Sequence, residues 1–181
     1  HDGSYGLRNY PHFDPLDLAN QARGNELFTD LLEEPAACAA LLERAAGAIE
    51  DCERHVRGLL APYAIPPVVG GVHVPGGTYL SCDAGDLVGP RTLERYGWPQ
   101  TRGLCERLGS AFLHHHELGI GNCALWSRTP GLRCQTLMRD PNTRHFEEEV
   151  EGTLLDASRR VPIQFITDAP HFLRLAGHWA Q

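Results

Sequence analysis

Lysine is missing from all 181 residues; the sixteen basic side chains are all Arg. That excludes a lysine Schiff base or a lysine phosphate clamp within this chain. Positive charge is also in the minority, since 23 acidic residues leave a net charge of -7. The clustered cations that a nucleic-acid surface needs are lacking, so no nucleic-acid partner is expected. No apolar run approaches the ~20 residues of a membrane span, and no membrane partner is expected. The six cysteines, Cys38, Cys52, Cys82, Cys105, Cys123 and Cys134, form no C-x-x-C pair and no dense framework. They read as reduced thiols of a cytoplasmic protein, several of them in the core. The chain opens on His1 rather than Met and has no signal-peptide architecture, which suggests a stretch of a longer protein.

What is present suits one domain over residues 1–181, whose 42% hydrophobic content can bury roughly 70% of the unfolded surface. Asp14-Pro15-Leu16-Asp17 opens a helix with Asp14 as N-cap, Pro15 in the first turn and Asp17 suited to the helix dipole; Gly24 stops it. A short helix over Asn25–Glu33 follows, then a long amphipathic helix from Pro35 to about Leu60, with Glu53 among the polar residues between its apolar positions. Residues 1–77 thus read as a helical amino-terminal part ending in a long Pro/Gly loop, Ala61 to Gly77. From Thr78 the pattern is strand and helix in alternation: Thr78–Cys82, a helix from Pro90 to about Leu108 split near Trp98-Pro99, and the apolar run Ser110–Leu113. A helix over Asn122–Arg128, a strand over Leu132–Met138, a helix over His145–Arg160, a strand over Pro162–Thr167 and a helix over Ala169–Ala180 complete it. The alternation predicts parallel βα units with right-handed crossovers.

The run Ser110-Ala111-Phe112-Leu113 ends in His114-His115-His116-Glu117. On a strand, period-two alternation sets His114 and His116 on one face, about 6.5 to 7 Å apart along the strand, where two imidazoles can share a metal or clamp an anion. It turns His115 to the other face, where its loss is expected to cost little. Asp83, Asp86, His114, His116, Asp140 and Asp168 each sit at or just past a strand's carboxyl end, and in a barrel those ends converge on one rim. The competing reading of Asp83, Asp140 and Asp168 is as N-caps of the helices that follow.

Asp14-Pro15-Leu16-Asp17-Leu18-Ala19 with Arg23-Gly24, the stretch Leu31 to Leu42 around Glu34-Pro35, Asp83-Ala84-Gly85-Asp86-Leu87-Val88-Gly89-Pro90, and Trp98-Pro99 together resemble the uroporphyrinogen decarboxylase superfamily. The resemblance runs from about Pro11 to Leu113. That superfamily includes the decarboxylase of haem biosynthesis and cobalamin-dependent, zinc-using methyltransferases. It implies an α/β fold, a (β/α)8 barrel of about 250 residues, of which this chain supplies an incomplete barrel. The methyltransferases bind zinc through a His-x-Cys pair at the end of a strand like Ala111 to Leu113 and a Cys from a later strand. His114 matches the first ligand, His116 stands where the Cys would be, and the third ligand would lie beyond Gln181. The decarboxylase uses no metal or cofactor; its Ser in the motif matching Ser81 to Gly85 aligns with Cys82 and its following His with Asp83, departures that weaken a porphyrin reading.

The resemblance implies methyl transfer between a small methylated substrate or thiol and a corrinoid, with zinc on His114 and His116 and a corrinoid protein as partner. Asp83, Asp86, Glu117 and Asp140 are the candidate catalytic residues, with Glu117 or Asp140 orienting an imidazole; Cys82 and Asp168 are the candidate substrate contacts. The alternatives are cofactor-free decarboxylation and a non-catalytic binding half-domain.

Overall fold

The computed structural model describes residues 7–8, 12–63, 67–69, 72–74, 76–140 and 147–179. In chain order its elements begin β1 (Leu7–Arg8), β2 (His12–Phe13), α1 (Pro15–Arg23), α2 (Glu26–Glu33), α3 (Pro35–Leu60), β3 (Pro67–Val69), β4 (Val72–His73) and β5 (Thr78–Ser81). They continue with α4 (Pro90–Thr92), α5 (Trp98–Leu108), β6 (Ala111–His116), α6 (Cys123–Trp126), β7 (Leu132–Met138), α7 (Glu147–Ser158), β8 (Ile163–Ile166) and α8 (Ala169–Trp179). Five strands form one parallel sheet in the order β2-β5-β6-β7-β8, and β1, β3 and β4 form a separate small sheet.

The α/β alternation is therefore as the sequence predicts, and strand order follows chain order. Successive residues of a strand face opposite ways, and the two faces are treated differently. Leu80, Leu113 and Ala111 face the main core with Leu16, Leu27, Leu42 and Leu104 from the helices, and Leu137 meets Leu154 and Ala157 of α7. The opposite face carries Phe112, Cys134 and Tyr79, with Phe13, Met138 and Ile166 exposed at 45%, 37% and 43%. Among the described residues, the core clusters set α1, α2, α3, α5, α6 and α7 against one face of the sheet.

Several local expectations change. Residues 61–77 are not all loop: Val68 and Val69 pair antiparallel with His73 and Val72, β-branched residues suiting both strands. The stretch Tyr5 to Phe13, which reads in sequence as a strand leading to a loop, supplies β2 at its end, and β2 pairs with β5. Pro99 does not split its helix. A π-helical turn, Leu93–Gly97, joins α4 to α5, and a widened turn ahead of a proline relieves the clash of its ring with the carbonyl four residues back. His145 lies outside the described residues, and α7 is described from Glu147. β6 runs through His116, so the three histidines lie on the strand and alternate between its faces as the sequence reading has them.

Glu53 also departs from the amphipathic reading of α3. It is 1% exposed, and its carboxylate faces His12 Nε2 at 2.9 Å while accepting hydrogen bonds from Arg57 Nε (2.7 Å) and Thr78 Oγ1 (2.8 Å). One buried carboxylate thus ties the long helix to β2 and β5. Burial alone would raise the Glu53 pKa, but hydrogen bonds with His12, Arg57 and Thr78 outweigh it and hold the group at about 2. A depressed folded pKa contributes stability that is present above the unfolded value of 4.5 and lost as pH falls toward 2. Between those limits the wild type is expected to lose up to about 3 kcal/mol more than Glu53→Gln in denaturant unfolding; parallel pH profiles for the two proteins would refute the assignment.

Candidate metal centre and its cavity

The centre is assembled at the carboxyl end of β6. Tyr79 stacks on Phe112 with ring centroids 5.3 Å apart and lies 6.1 Å from the His114 ring, so His114 emerges at the top of an aromatic ladder. His114 is 8% exposed and His116 half-buried; their Nε2 atoms approach to 3.3 Å, with the rings edge to face. Asp83, just past β5, brings Oδ1 to 3.6 Å from His116 Nε2 and 3.9 Å from His114 Nε2. Two imidazoles and a carboxylate therefore converge on one point.

Asp83 and His116 are held from behind. Asp17, in the first turn of α1, accepts hydrogen bonds from the Asp83 N–H (3.0 Å) and the Ala84 N–H (2.6 Å), which fixes the turn after β5. The Ser81 hydroxyl donates to Asp83 Oδ1 at 3.1 Å. Asp86 Oδ2 accepts the His116 N–H at 2.5 Å. Gly119 makes room for that carboxylate, since a Cβ there would overlap Asp86 Oδ1. Asp140, just past β7, places Oδ1 2.7 Å from His116 Nδ1, and its own N–H donates to Glu117 Oε2 at 3.1 Å. A carboxylate facing Nδ1 sets the tautomer with hydrogen on that nitrogen, leaving the Nε2 lone pair directed toward His114 and Asp83.

Burial lowers the His114 pKa, so its imidazole is uncharged at neutral pH, the ligating form. Asp17 is pushed up to about 8 by burial, with the charges of Asp14 and Asp83 adding to it. Asp86 reaches about 8 for the same reason, burial first and then Asp83, Asp17 and Asp140, against the His116 hydrogen bond that lowers it. Around these groups lies a cavity of about 300 Å³ whose walls include Phe13, Asp17, Asp83, Asp86, His116 and Asp140.

Of the candidate residues, Asp83, His114, His116 and Asp140 come together, with Asp86 and Glu117 immediately behind. Asp83 opens the turn Ala84–Leu87 but makes no side-chain capping hydrogen bond, so the N-cap reading does not account for it. Asp168 stands apart: it pairs with Arg139 and lines a neighbouring cavity of about 440 Å³ that shares Asp140. Cys82, read as a substrate contact, is fully buried on the helix side beside Asp14 and Asp17, and burial and the Asp14 charge push its thiol pKa well up. It supports the turn and does not line the cavity. Two groups that sequence reading passed over matter here. Asp17 is only a helix-dipole charge in the sequence, and its sole signal is a second acid three residues after the N-cap. Gly119 has none, because its need is set by a carboxylate 33 positions earlier.

His115 does face away from the centre, but it is not dispensable. It is fully buried, with Nε2 3.2 Å from Gln135 Oε1 and 3.8 Å from Cys123 Sγ, and burial lowers its pKa to about 4. His115→Ala would leave a cavity and strip Gln135 of a partner, and is expected to cost about 2–4 kcal/mol in chemical denaturation; a loss under about 0.5 kcal/mol would contradict this placement. No protein-family model, curated protein or solved structure matches the chain.

Proposed function

We propose that the chain is part of a uroporphyrinogen-decarboxylase-superfamily enzyme, an arc of a (β/α)8 barrel whose rim binds zinc for methyl transfer between a small methylated substrate or thiol and a corrinoid. The barrel reading is supported by strand order that follows chain order, by helices on one face, and by polar groups gathered past the strands' carboxyl ends. The zinc reading is supported by one observation above the others, the convergence of His114 and His116. Two nitrogens each ~2.05 Å from one tetrahedral ion lie about 3.3 Å apart, and these two Nε2 atoms are 3.3 Å apart. As an N–H···N hydrogen bond the same distance would be long. Asp83 supplies a third donor within this chain, where the resemblance placed one beyond Gln181. Two imidazoles and one carboxylate make up a donor set of catalytic zinc sites, with a position left for substrate or water.

When bound there, zinc supplies Lewis acidity that lowers the pKa of a thiol or water at neutral pH. The chain's own residues prepare the site. Asp140 orients the His116 ring through Nδ1, Glu117 fixes Asp140 through its backbone N–H, and Asp86 pins the His116 backbone. Burial keeps His114 unprotonated. Decarboxylation of an acidic tetrapyrrole is less well supported, because the described residues lining the cavity include no Arg to hold its carboxylate arms.

Metal analysis tests the reading. About one equivalent of zinc is expected in the purified protein, lost in His114→Ala and in His116→Ala, with zinc affinity weakened roughly 10–100-fold in Asp140→Asn. Less than about a tenth of an equivalent, unchanged by these substitutions, would overturn it.

A further inference from the structure

We propose that the cavity between the ends of β7 and β8 binds a free α-amino acid with an apolar side chain. This site goes beyond methyl transfer and does not depend on the zinc reading. The cavity, of about 440 Å³, is in the size range of small-molecule sites and lies past the carboxyl ends of two parallel strands, where such sites form. Its wall carries both signs of charge. Arg139 Nη1 is paired with Asp168 Oδ2, and both side chains line the cavity. That contact uses one nitrogen of a guanidinium whose five donors leave room for a second carboxylate.

The balance of charge selects the ligand. Asp140, the third charged group on the wall, is directed at His116 Nδ1, so Arg139 and Asp168 set the local field. A ligand that is only an anion lies against Asp168, and one that is only a cation lies against Arg139. An α-amino acid carries its carboxylate and ammonium on one carbon. Laid head to tail against the Arg139–Asp168 pair, it sets each charge beside its opposite. Met138 and Ile166, exposed and paired in register at the ends of β7 and β8, supply the apolar part of the wall. An alkyl side chain gains cover there. Because Asp140 lines this cavity and the one over His116, a ligand seated here lies next to the metal centre.

Calorimetric titration in the presence of EDTA tests the site apart from the metal, since free amino acids themselves chelate zinc through nitrogen and oxygen. The probes are L-norleucine, hexanoate, which lacks its ammonium, and pentylamine, which lacks its carboxylate. Norleucine is expected to bind about tenfold more tightly than either, with the preference shrinking at high salt. Asp168→Asn, at a side chain 54% exposed, should narrow the gap between norleucine and hexanoate. Arg139→Gln should narrow the gap between norleucine and pentylamine. The three probes are compared on the wild type, so that result stands even where Arg139→Gln fails to fold. Hexanoate or pentylamine binding as tightly as norleucine would overturn the proposal, as would no norleucine binding up to about 10 mM. A gap between norleucine and hexanoate left unchanged by Asp168→Asn would overturn it too.

Discussion

The site exists because five strands run parallel in the order in which they occur in the chain. Each crossover brings the polypeptide back to the same end of the sheet, so residues at or just past the ends of successive strands become neighbours although 24 to 33 positions separate them. Register then decides their heights. Ser81 pairs with His114, which sets Asp83, two residues on, level with His116; His116 pairs with Met138, which sets Asp140 one step beyond. A slip of one residue in β6 would turn His115 to the rim and bury His114 and His116 among the helices. The aromatic pair Tyr79 and Phe112 on one face and Leu80 and Leu113 on the other oppose such a slip.

The amino-terminal helices secure that geometry rather than add to it. Asp14 caps α1, accepting from the Asp17 N–H at 2.8 Å and from the Thr101 hydroxyl at 2.8 Å, while its own N–H donates to the Ser81 carbonyl. Asp17, one turn later, holds the Asp83 and Ala84 amides. Two carboxylates on one helix turn therefore lock the end of β5 against α1 and α5. The Glu53 cluster does the same at the other end of β5, through Thr78. The strand that presents Asp83 is tied down at both ends by buried acids.

What the sequence disclosed follows the difference between local and distant constraints. The N-cap at Asp14, the glycine stop at Gly24 and the span of β7 obey local rules and are found as expected. The alternation of His114 and His116 with His115 is likewise a property of one strand. Their convergence with Asp83 and Asp140 is legible only as a consequence of parallel topology, since polar groups past parallel strands share an edge. Glu53, Asp17, Gly119 and Gln135 were missed for the opposite reason. Each looks ordinary in its own segment, and its role is fixed by a partner between 20 and 66 positions away. Cys82 was misplaced by one step of alternation: Ser81 faces the rim, so Cys82 faces the helices.

The crowding of carboxyl groups at the rim opposes folding. Asp17 and Asp86, whose ordinary value is 3.8, are held near 8 chiefly by burial, and then by the charges of Asp14 and Asp83 on Asp17 and of Asp83, Asp17 and Asp140 on Asp86. A folded pKa above the unfolded one means that the native state binds more protons, so these groups subtract stability as pH rises from about 4 to about 8. The penalty is offset by the leucine-rich core beneath, where Leu16, Leu80 and Leu113 pack with almost no exposure.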